Sequence, residues 1–298
     1  MVSFIILNYN TSQECKECVK SIRRFIPKGT YEIIIVDNNS RFDDKTCIQD
    51  YLHDDIKLVE SKFNGGFGLG NMLGANVAKG DYLCFLNSDV IFTEDCISPL
   101  CYYIENHSDV GCITPQQYDF NNNFVPSFRH NPCFLRELIG VSFLEKHFPR
   151  HYPNRRKKWK EPIEVPQING CFMLFPSKCF YDVGGFDTNI FLYDEECDIG
   201  YRLKRMRMKC VVYPDISFLH KGATTTKCIY NRTYRERYIS RMYVYRKHHS
   251  YWNSLMYRIM LIVFTLFKPK KWYLFPILLR GEALSQSMRH NSIFTNVY

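Results

Sequence analysis

The fold class follows from one stretch near the N-terminus, Tyr31-Glu32-Ile33-Ile34-Ile35-Val36-Asp37-Asn38-Asn39-Ser40. Its centre, residues 33–36, is an unbroken β-branched run, which is typical of a strand that is covered on both faces. The polar residues that follow end the run abruptly and favour a turn. The stretch therefore predicts a buried strand whose carboxyl end carries hydrogen-bonding side chains.

Strands and helices alternate on both sides of this stretch. Hydrophobic patterning predicts strands at 2–7, 31–36 and 56–59 and helices at 12–25 and 43–52. The continuation comprises a glycine-rich loop at 64–70, a helix to about Lys79, a strand at 82–86, a helix near 93–106 and a short strand at 111–114. This repetition predicts an α/β fold of Rossmann-like type, with a mostly parallel central sheet and flanking helices.

The pattern weakens between residues 115 and 162, and we interpret this stretch as a variable insertion near a binding site. Regularity then returns with a predicted strand at 165–175, a helical turn at 177–183, an acidic helix at 194–206 and closing strands at 210–213 and 216–220. After Thr226 the pattern is helical, basic and aromatic. We therefore predict a domain of residues 1–226 followed by a helical region of residues 227–298.

The charge of the chain is concentrated at its C-terminal end. The 298 residues carry 39 Lys and Arg against 30 Asp and Glu, a net charge of +9. The part after Lys227 holds twelve of the basic residues and only two acidic ones, so the preceding part is nearly neutral. This asymmetry indicates a neutral body with a basic segment that meets an anionic surface. With 46% hydrophobic and 23% charged residues, the composition excludes a disordered or collagen-like chain.

The thirteen cysteines do not indicate a disulfide framework, because the chain is too long to need one and shows no secretory signal at its start. We therefore expect a reducing, cytoplasmic compartment. Cys15 and Cys18 form a CxxC pair, but no second pair follows at zinc-ribbon spacing. The longest apolar run, residues 259–267, is far shorter than the roughly 20 residues that span a bilayer.

Polar residues follow three of the predicted strands, at the edge where open parallel sheets bind ligands. Asp37 has two interpretations, a hydrogen-bond acceptor for a ribose or base and a turn residue. Asp89 also has two, a carboxylate that holds a divalent ion against a diphosphate and a cap for the helix near Thr93. A dinucleotide fingerprint is not indicated, since no GxGxxG follows the first strand and Asn71 replaces the last glycine of the later glycine run.

Three carboxylates lie close together in the predicted acidic helix, at Glu195, Glu196 and Asp198. Their mutual repulsion predicts a raised pKa or a nearby cation. Arg202 lies one turn beyond Asp198 and can neutralise it. Glu195 and Glu196 lack such a partner, as expected of a general base, although a solvated first helical turn is the alternative. His220 ends a strand and could complete an oxygen and nitrogen metal site with Asp89.

Ordered motifs along the chain resemble those of family 2 glycosyltransferases, and within them the bacterial rhamnosyltransferase-like group. The first half carries VSFIILNYN (2–10), VDNNS (36–40), NGGFGLGN (64–71) and FLNSD (85–89). The second half carries NGCF (169–172), VGGFD (183–187), FLYDEECDI (191–199) and HKG (220–222). The resemblance covers about residues 2–226.

The resemblance implies a GT-A fold and inverting transfer of a sugar from a nucleotide-diphosphate sugar. It implies that Asp89 and His220 hold Mg²⁺ or Mn²⁺ and that Asn87 replaces the first aspartate of the DxD-like motif. Glu195 and Glu196 stand where the family has its ED pair, so Glu196 becomes the expected base and Glu195 the alternative. The implied donor-binding residues are Asn8, Asn10, Asp37, Asn39, Asn64, Gly66, Gly68, Asn71, Asn87, Asn169 and Gly170.

The resemblance also gives the C-terminal region a role. Its aromatic residues alternate with Lys and Arg, as in helices that lie in a membrane interface. The aromatic residues in question are Tyr230, Tyr234, Tyr238, Tyr243, Tyr245, Trp252, Tyr257, Trp272 and Tyr273. We expect a peripheral protein on the inner face of the cell membrane, acting on a glycan or polyprenyl-diphosphate-linked acceptor. The alternative is a helical bundle that merely covers the core.

Three other function classes fit the sequence less well. Nucleic-acid binding could use the same basic and aromatic residues, but no recognition module is present. A nucleotidyltransferase would need a glycine-rich loop with Arg or Lys near the N-terminus, which residues 8–11 do not provide. A catalytically degenerate nucleotide-sugar-binding or membrane-associated subunit is favoured only by the two departures at Asn87 and Glu196. The sequence therefore favours an active transferase in cell-surface polysaccharide or O-antigen synthesis.

Overall fold

The computed structural model describes residues 1–49, 56–222, 230–281 and 284–290. Its strands are β1 (Val2–Asn8), β2 (Tyr31–Asp37), β3 (Ile56–Glu60), β4 (Tyr82–Asn87), β5 (Val90–Phe92), β6 (Val110–Tyr118), β7 (Phe124–Val125), β8 (Phe128–Arg129), β9 (Ile163–Val165), β10 (Gln167–Ile168), β11 (Phe172–Pro176) and β12 (Lys209–His220).

The helices alternate with these strands and then continue alone. They are α1 (Ser12–Phe25), α2 (Phe42–Gln49), α3 (Gly66–Ala75), α4 (Ile97–Asn106), α5 (Phe134–Ile139), α6 (Val141–His147), α7 (Ser177–Asp182), α8 (Glu195–Arg205), α9 (Tyr230–His248), α10 (Tyr251–Leu266) and α11 (Phe275–Arg280). Short 3₁₀ helices cover Pro269–Leu274 and Leu284–Gln286.

The central sheet has the strand order β3-β2-β1-β4-β11-β6-β12-β5. The first four strands are parallel, and so is the pair of β6 and β12. The strand β11 runs antiparallel between β4 and β6, and β5 runs antiparallel at the far edge. The predicted mostly parallel α/β sheet is confirmed, and the antiparallel strands are an addition that the sequence pattern did not reveal.

Helices cover both faces of the sheet, as the apolar run at residues 33–36 predicted. On one face, α1 packs its Val19 and Ile22 against Phe4 and Ile33. Strand side chains alternate in direction, so Ile34 and its neighbours face α3, α7 and α8 on the other side. Cys15 and Cys18 lie in the first of these cores, and none of the twelve cysteines within the described residues forms a disulfide. The side chains of the CxxC pair therefore pack in the hydrophobic core.

Several predicted boundaries differ from those in the structure. The predicted glycine-rich loop is the beginning of α3, and β6 runs on to Tyr118 because it keeps its pairing with β12. The single strand predicted at 165–175 is divided into β9, β10 and β11. The two predicted closing strands are one strand, β12, whose pairing register shifts after Tyr213. Of the helix predicted at 43–52, residues 50–52 lie outside the described part of the chain.

The C-terminal helices are joined to the sheet domain through α9. Val244 of α9 packs with Ile190 and Cys197 in one apolar cluster. Asp198 of α8, which is fully buried, accepts hydrogen bonds or ion pairs from Arg202, Lys247 and His248. The predicted neutralisation of Asp198 by Arg202 is confirmed, and Lys247 and His248 of α9 add further partners. Burial alone would raise the pKa of Asp198, but the hydrogen bonds of His248 and Lys247 and the charges of Arg202 and Lys247 lower it to about 2.

The aromatic residues of this region differ in exposure. Tyr245 and Tyr257 are buried and stack on each other with ring centroids 4.0 Å apart, and Tyr234, Tyr238 and Tyr243 are half-buried. The buried pair belongs to the core of the C-terminal helices, whereas membrane contact by the other residues stays a prediction. Trp252, Trp272 and Tyr273 are exposed. The side chain of Tyr230 lies outside the description.

No helix within the described ranges combines the length and the hydropathy that crossing a bilayer requires.

Candidate active site

The carboxyl ends of β1, β2 and β4 lie at one edge of the sheet. The register pairs Asn8 with Asp37 and Leu7 with Asn87, so the polar residues that end these strands are brought side by side. Asn8 is fully buried, and its Nδ2 donates to Asp37 Oδ1 at 3.1 Å and to Ser40 Oγ at 3.0 Å. All the bonds described for Asn8 thus go to protein atoms, and it fixes the position of Asp37.

Asp37 itself is 1% exposed and takes part in the turn that follows β2. Its Oδ2 accepts a hydrogen bond from the backbone N–H of Ser40 at 3.1 Å. The turn interpretation of Asp37 is therefore realised, while nucleoside binding by this carboxylate remains a prediction. Asn39 and Asn10 both adopt left-handed backbone conformations beside it, and Asn10 Oδ1 accepts from the backbone of Arg41.

The glycine-rich segment at the start of α3 contacts the turn after β2 on one side and the backbone of residues 187–191 on the other. Asn38 donates to Asn64 Oδ1 at 2.9 Å, and that same oxygen accepts from the N–H of Gly66. Gly66 has a φ of 81°, and a side chain there would overlap the backbone carbonyl of Phe191. Gly68 lies close to the carbonyl of Asp187. These glycines make room for the 187–191 backbone, and donor contact by Gly66 and Gly68 stays a prediction.

Asn71 was expected to contact the donor as well. It lies in the middle of α3, is fully buried, and donates from Nδ2 to the carbonyl of Phe67. Its Oδ1 is buried without a hydrogen-bond partner. Donor contact by Asn71 stays a prediction.

Asp89 and His220 meet at the end of β4 and β12. The Nε2 atom of His220 lies 3.1 Å from Asp89 Oδ1 and 3.3 Å from Asn87 Nδ2. Burial raises the pKa of Asp89, but the hydrogen bond and the charge of His220 outweigh this and leave it lowered. The capping interpretation of Asp89 is wrong, because Asp95 supplies the carboxylate that caps α4.

This pair has the chemistry of a partial metal site. A carboxylate and an imidazole at contact distance suit a divalent ion that takes its remaining ligands from water and phosphate. No group of three or more His, Cys, Asp and Glu ligands occurs within the described ranges. The residues therefore fit Mg²⁺ or Mn²⁺ if the donor's diphosphate oxygens complete the coordination.

Glu195 and Glu196 begin α8 after two consecutive left-handed residues, Tyr193 and Asp194. Glu195 is 2% exposed, and its Oε1 has no hydrogen-bond partner. Glu196 is partly exposed, and its Oε1 accepts from the N–H of Gly170 at 2.9 Å. A side chain at residue 170 would crowd that oxygen.

Burial raises the pKa of both glutamates. The sequence predicted a raised pKa in this carboxylate cluster, but from mutual repulsion, which is the smaller cause here. For Glu195 the charge of Glu196 adds to the effect of burial and places the pKa well above its ordinary value. For Glu196 the positive charge of Arg129 opposes burial, but the pKa remains raised. A partly exposed carboxylate with a raised pKa can accept a proton from a substrate hydroxyl.

Gln117 connects the two halves of the site, and the sequence analysis missed it. Its Nε2 lies 3.0 Å from His220 Nδ1, and its Oε1 accepts from Asn169 Nδ2 at 3.2 Å. Since Gly170 follows Asn169 and binds Glu196, a continuous path joins the metal candidate to the base candidate. Gln117 and Arg129 both lie in the stretch 115–162, whose weak pattern carries no signal for a site residue.

Comparison with known proteins assigns the chain to a family. The family model described as Glycosyl transferase family 2 matches residues 3–180, which is more than half of the chain. The chain belongs to glycosyl transferase family 2. This glycosyltransferase is 26% identical over 212 residues to the N-acetylglucosaminyl-diphospho-decaprenol L-rhamnosyltransferase of Mycobacterium tuberculosis, covering 65% of this chain and 67% of that protein.

Further relatives differ in length and source. An uncharacterized glycosyltransferase of Methanocaldococcus jannaschii, MJ1057, is 26% identical over 156 residues, covering 51% of this chain and 53% of that protein. The low-salt glycan biosynthesis hexosyltransferase Agl10 of Haloferax volcanii is 24% identical over 208 residues, covering 68% of this chain and 62% of that protein. The chain thus spans between about half and two thirds of these relatives.

Solved structures show the same fold. The mannosyltransferase PcManGT of Pyrobaculum calidifontis, in complex with GDP-Man and Mn²⁺, superposes with a TM-score of 0.60 at 13% identity, over 99% of this chain and 87% of that one. GalNAc-T7 with UDP, GalNAc and Mn²⁺ gives a TM-score of 0.58 at 17% identity, over 74% of this chain and 43% of that one. The predicted GT-A fold and the predicted family are confirmed.

Proposed function

We propose that this glycosyltransferase moves a sugar, with inversion, from a nucleotide-diphosphate sugar to a hydroxyl of a glycan or lipid-linked saccharide. The observation that carries the proposal is the path from Asp89 and His220 through Gln117 and Asn169 to Gly170 and Glu196. It places a group that can bind the leaving diphosphate and a group that can take a proton within one hydrogen-bonded unit.

The reaction follows from these groups. Glu196 takes the proton of the acceptor hydroxyl while that oxygen bonds to the anomeric carbon from the face opposite the diphosphate. The bond from the anomeric carbon to the diphosphate oxygen breaks, and its electron pair leaves with the nucleoside diphosphate. Asp89 and His220 would hold Mg²⁺ or Mn²⁺, which when bound supplies positive charge to that leaving group.

The relative from Mycobacterium tuberculosis is a rhamnosyltransferase, and this supports a more specific proposal. We place the chain in the assembly of a cell-surface polysaccharide of the O-antigen type, with rhamnose as the first donor sugar to test. The acceptor would be a saccharide on a polyprenyl diphosphate.

Donor binding is tested by thermal shift with UDP-, GDP- and dTDP-sugars, with and without Mn²⁺. We expect one nucleotide class to raise the melting temperature in a metal-dependent way, since a ligand at a hundred times its Kd stabilises by about 2.7 kcal/mol. Asp37→Ala and Asp89→Ala should abolish the rise. A folded protein that none of these donors stabilises would contradict the proposal.

Turnover is tested with Glu196→Gln and Glu195→Gln. The first removes the proton acceptor and should lower kcat by about 10²–10⁴-fold while the donor-induced thermal shift persists. The second changes a buried neighbour and should retain most of the turnover. A wild-type protein that binds its donor but never transfers or hydrolyses it would instead support the degenerate, non-catalytic subunit, which the Asn87 and Glu196 departures favour.

We further propose that the protein rests on the inner face of the cell membrane through residues 227–298. One side of α10 and the residue after it forms an exposed apolar surface, which we call the α10 apolar face. It comprises Trp252, Met256, Ile259, Val263, Leu266 and Phe267, each between 42% and 80% exposed. These positions recur at helical spacing, and Lys268 and Lys270 follow them.

Membrane binding is tested by flotation with anionic vesicles. Replacing Trp252 and Ile259 by serine together should weaken binding at least tenfold, because each buried large apolar side chain contributes roughly 1.5–3 kcal/mol. Tyr102→Ser, at an equally exposed aromatic on α4, is the matched control. Equal flotation of all three proteins would overturn this assignment.

A further inference from the structure

A cavity lies among the C-terminal helices, on elements other than those that carry Asp89, His220 and Glu196. It is lined by residues of α9, α10 and α11 and by the glycine that ends α11, is open to solvent on one side, and has a volume of about 220 Å³. Drug-sized ligands occupy pockets of roughly 300–1,000 Å³. The cavity is thus sized for a small group such as a phosphate or diphosphate and not for a nucleotide sugar.

Three arginines, Arg246, Arg258 and Arg280, line this cavity, and none of its lining residues within the described ranges is acidic. The Nε of Arg258 is buried without a hydrogen-bond partner. The Arg258 guanidinium occupies the space that a side chain at Gly281 would fill, and Gly281 has a φ of 74°. A buried guanidinium nitrogen without an acceptor is costly, so the site favours an anionic ligand that supplies oxygen acceptors.

The position of the cavity indicates where the rest of such a ligand lies. Tyr251, Leu255 and Arg258 line the cavity on α10. Each of them is next in sequence to a member of the α10 apolar face, namely Trp252, Met256 or Ile259. Because neighbouring helical positions lie on adjoining sides of the helix, an anionic site and an apolar surface adjoin here. That pairing matches a phosphate headgroup with an attached hydrocarbon chain.

We propose that this cavity binds the phosphate groups of a membrane lipid, either a phospholipid headgroup or a lipid diphosphate. Arg258 and Arg280 donate to the phosphate oxygens, and the hydrocarbon chain lies along the α10 apolar face. The inference rests on the proposed membrane association and adds to it a specific site with lipid selectivity.

The test compares vesicle binding by the full chain and its variants. Three vesicle types are used, phosphatidylcholine alone, phosphatidylcholine with phosphatidylglycerol, and phosphatidylcholine with undecaprenyl diphosphate. Inorganic diphosphate in solution is titrated as a fourth ligand. The variants are Arg258→Gln and the more exposed Arg280→Gln, and the control is Arg24→Gln, which removes the same charge from α1.

We expect the wild type and Arg24→Gln to prefer one phosphate-bearing vesicle over phosphatidylcholine, and Arg258→Gln and Arg280→Gln to lose about tenfold in affinity for it. Preference for undecaprenyl diphosphate or for phosphatidylglycerol identifies the source of the phosphate, and either supports the site. Binding of the phosphate-bearing vesicles that is equal in the control and in both cavity variants would overturn it. Arginine-dependent binding of free diphosphate without a vesicle preference would overturn the lipid assignment.

Failure of this inference is distinguishable from failure of the proposed function. The Trp252 and Ile259 double variant binds every vesicle type at least tenfold more weakly if the α10 apolar face is the membrane contact, whereas the cavity variants lose only the phosphate preference. The donor-induced thermal shift reports on the sugar-transfer site and on folding, and it should persist in both cavity variants. If Arg258→Gln lacks that shift, Arg280→Gln carries the test, because its side chain is exposed.

Discussion

At the scale of the residue, two adjacent glutamates with the same side chain occupy different environments. Glu195 is buried with an unbonded Oε1, whereas Glu196 is partly exposed and held by the N–H of Gly170. The difference arises from the direction in which the first turn of α8 points each side chain. It separates a buried neighbour, Glu195, from the carboxylate that we propose as the base, Glu196.

Glu195→Gln should stabilise the protein at neutral pH. The pKa of the Glu195 carboxyl is higher in the folded than in the unfolded protein. Its contribution to the free energy of unfolding is therefore fully present below the unfolded-state pKa and is lost as the pH rises through the folded-state pKa. Glutamine is neutral at every pH and escapes this loss. The melting temperature of the variant should therefore exceed that of the wild type by an amount that grows as pH rises above about 4.5.

Thermal melts from pH 4 to pH 9 check this prediction. Each kcal/mol of change in the free energy of unfolding corresponds to a shift of about 2–4 °C in the melting temperature. The exposed Glu161→Gln is the control and should change stability by less than about 0.5 kcal/mol. If the melting temperature of Glu195→Gln at pH 8 is lower than that of the wild type, burial of the Glu195 carboxylate does not destabilise the folded protein and the prediction is wrong.

Gln117→Met should weaken metal binding without abolishing it. Gln117 orients His220, and loss of a residue that orients a metal ligand costs about 10–100-fold in affinity. We expect the Mn²⁺ concentration for the half-maximal donor-induced thermal shift to rise by that factor. Gln116→Met is the matched control, because this side chain is equally buried but donates only to backbone, to the carbonyls of Gln117 and Val125. If the two variants show the same Mn²⁺ dependence, Gln117 does not orient His220 for metal binding.

At the scale of the element, α3 and the 187–191 segment are locked together. The N–H of Phe67 donates to the carbonyl of Phe191 at 2.8 Å, and Gly66 lets the two backbones approach. The segment leads directly into Tyr193, Asp194 and α8. The packing of α3 therefore helps to set where the two glutamates begin.

Gly66→Ala should destabilise the protein more than Gly29→Ala. Both glycines have a φ near 80°. Placing alanine in this left-handed backbone conformation destabilises the folded protein by roughly 1–2 kcal/mol at either position. Only at Gly66 would the new methyl overlap a carbonyl, since nothing lies within 4 Å of a side chain at Gly29. Urea unfolding of the two variants measures the difference. Equal losses would show that the contact with Phe191 is dispensable.

At the scale of the whole molecule, α9 unites the sheet domain with the C-terminal helices. Lys247 bridges Asp187 and Asp198, and Arg241 lies 3.5 Å from Asp194, immediately before the glutamate pair. A buried carboxylate that loses such partners is destabilised by roughly 3–5 kcal/mol. The residues on either side of the predicted boundary at 226 are thus energetically coupled.

This coupling predicts a single unfolding transition. Trp159→Phe leaves Trp252 and Trp272 as the only tryptophans, both in the C-terminal helices. Their fluorescence should change at the same urea concentration as the far-ultraviolet circular dichroism of the whole chain, because separate probes of a cooperative unit coincide. A fluorescence transition that precedes the loss of ellipticity would show that residues 227–298 unfold independently.

The sequence alone determined the alternating architecture and the family. Runs such as residues 33–36 can be buried only between two layers of helices, and the order of short motifs limits the chain to one kind of fold. It also located Asp89, His220 and the glutamate pair, because these residue types stand at strand and helix ends where ligands bind.

Tertiary structure decided the surroundings of each of these residues. Whether Asp37 bonds to a turn, whether Gly66 faces a ligand or a carbonyl, and which glutamate is exposed depend on neighbours far away in the chain. Gln117 and the arginine-lined cavity follow from strand pairing and helix packing that local patterns do not encode. The physical reason is that side-chain periodicity reports which face of an element is buried, whereas contacts between elements are set by how those buried faces pack.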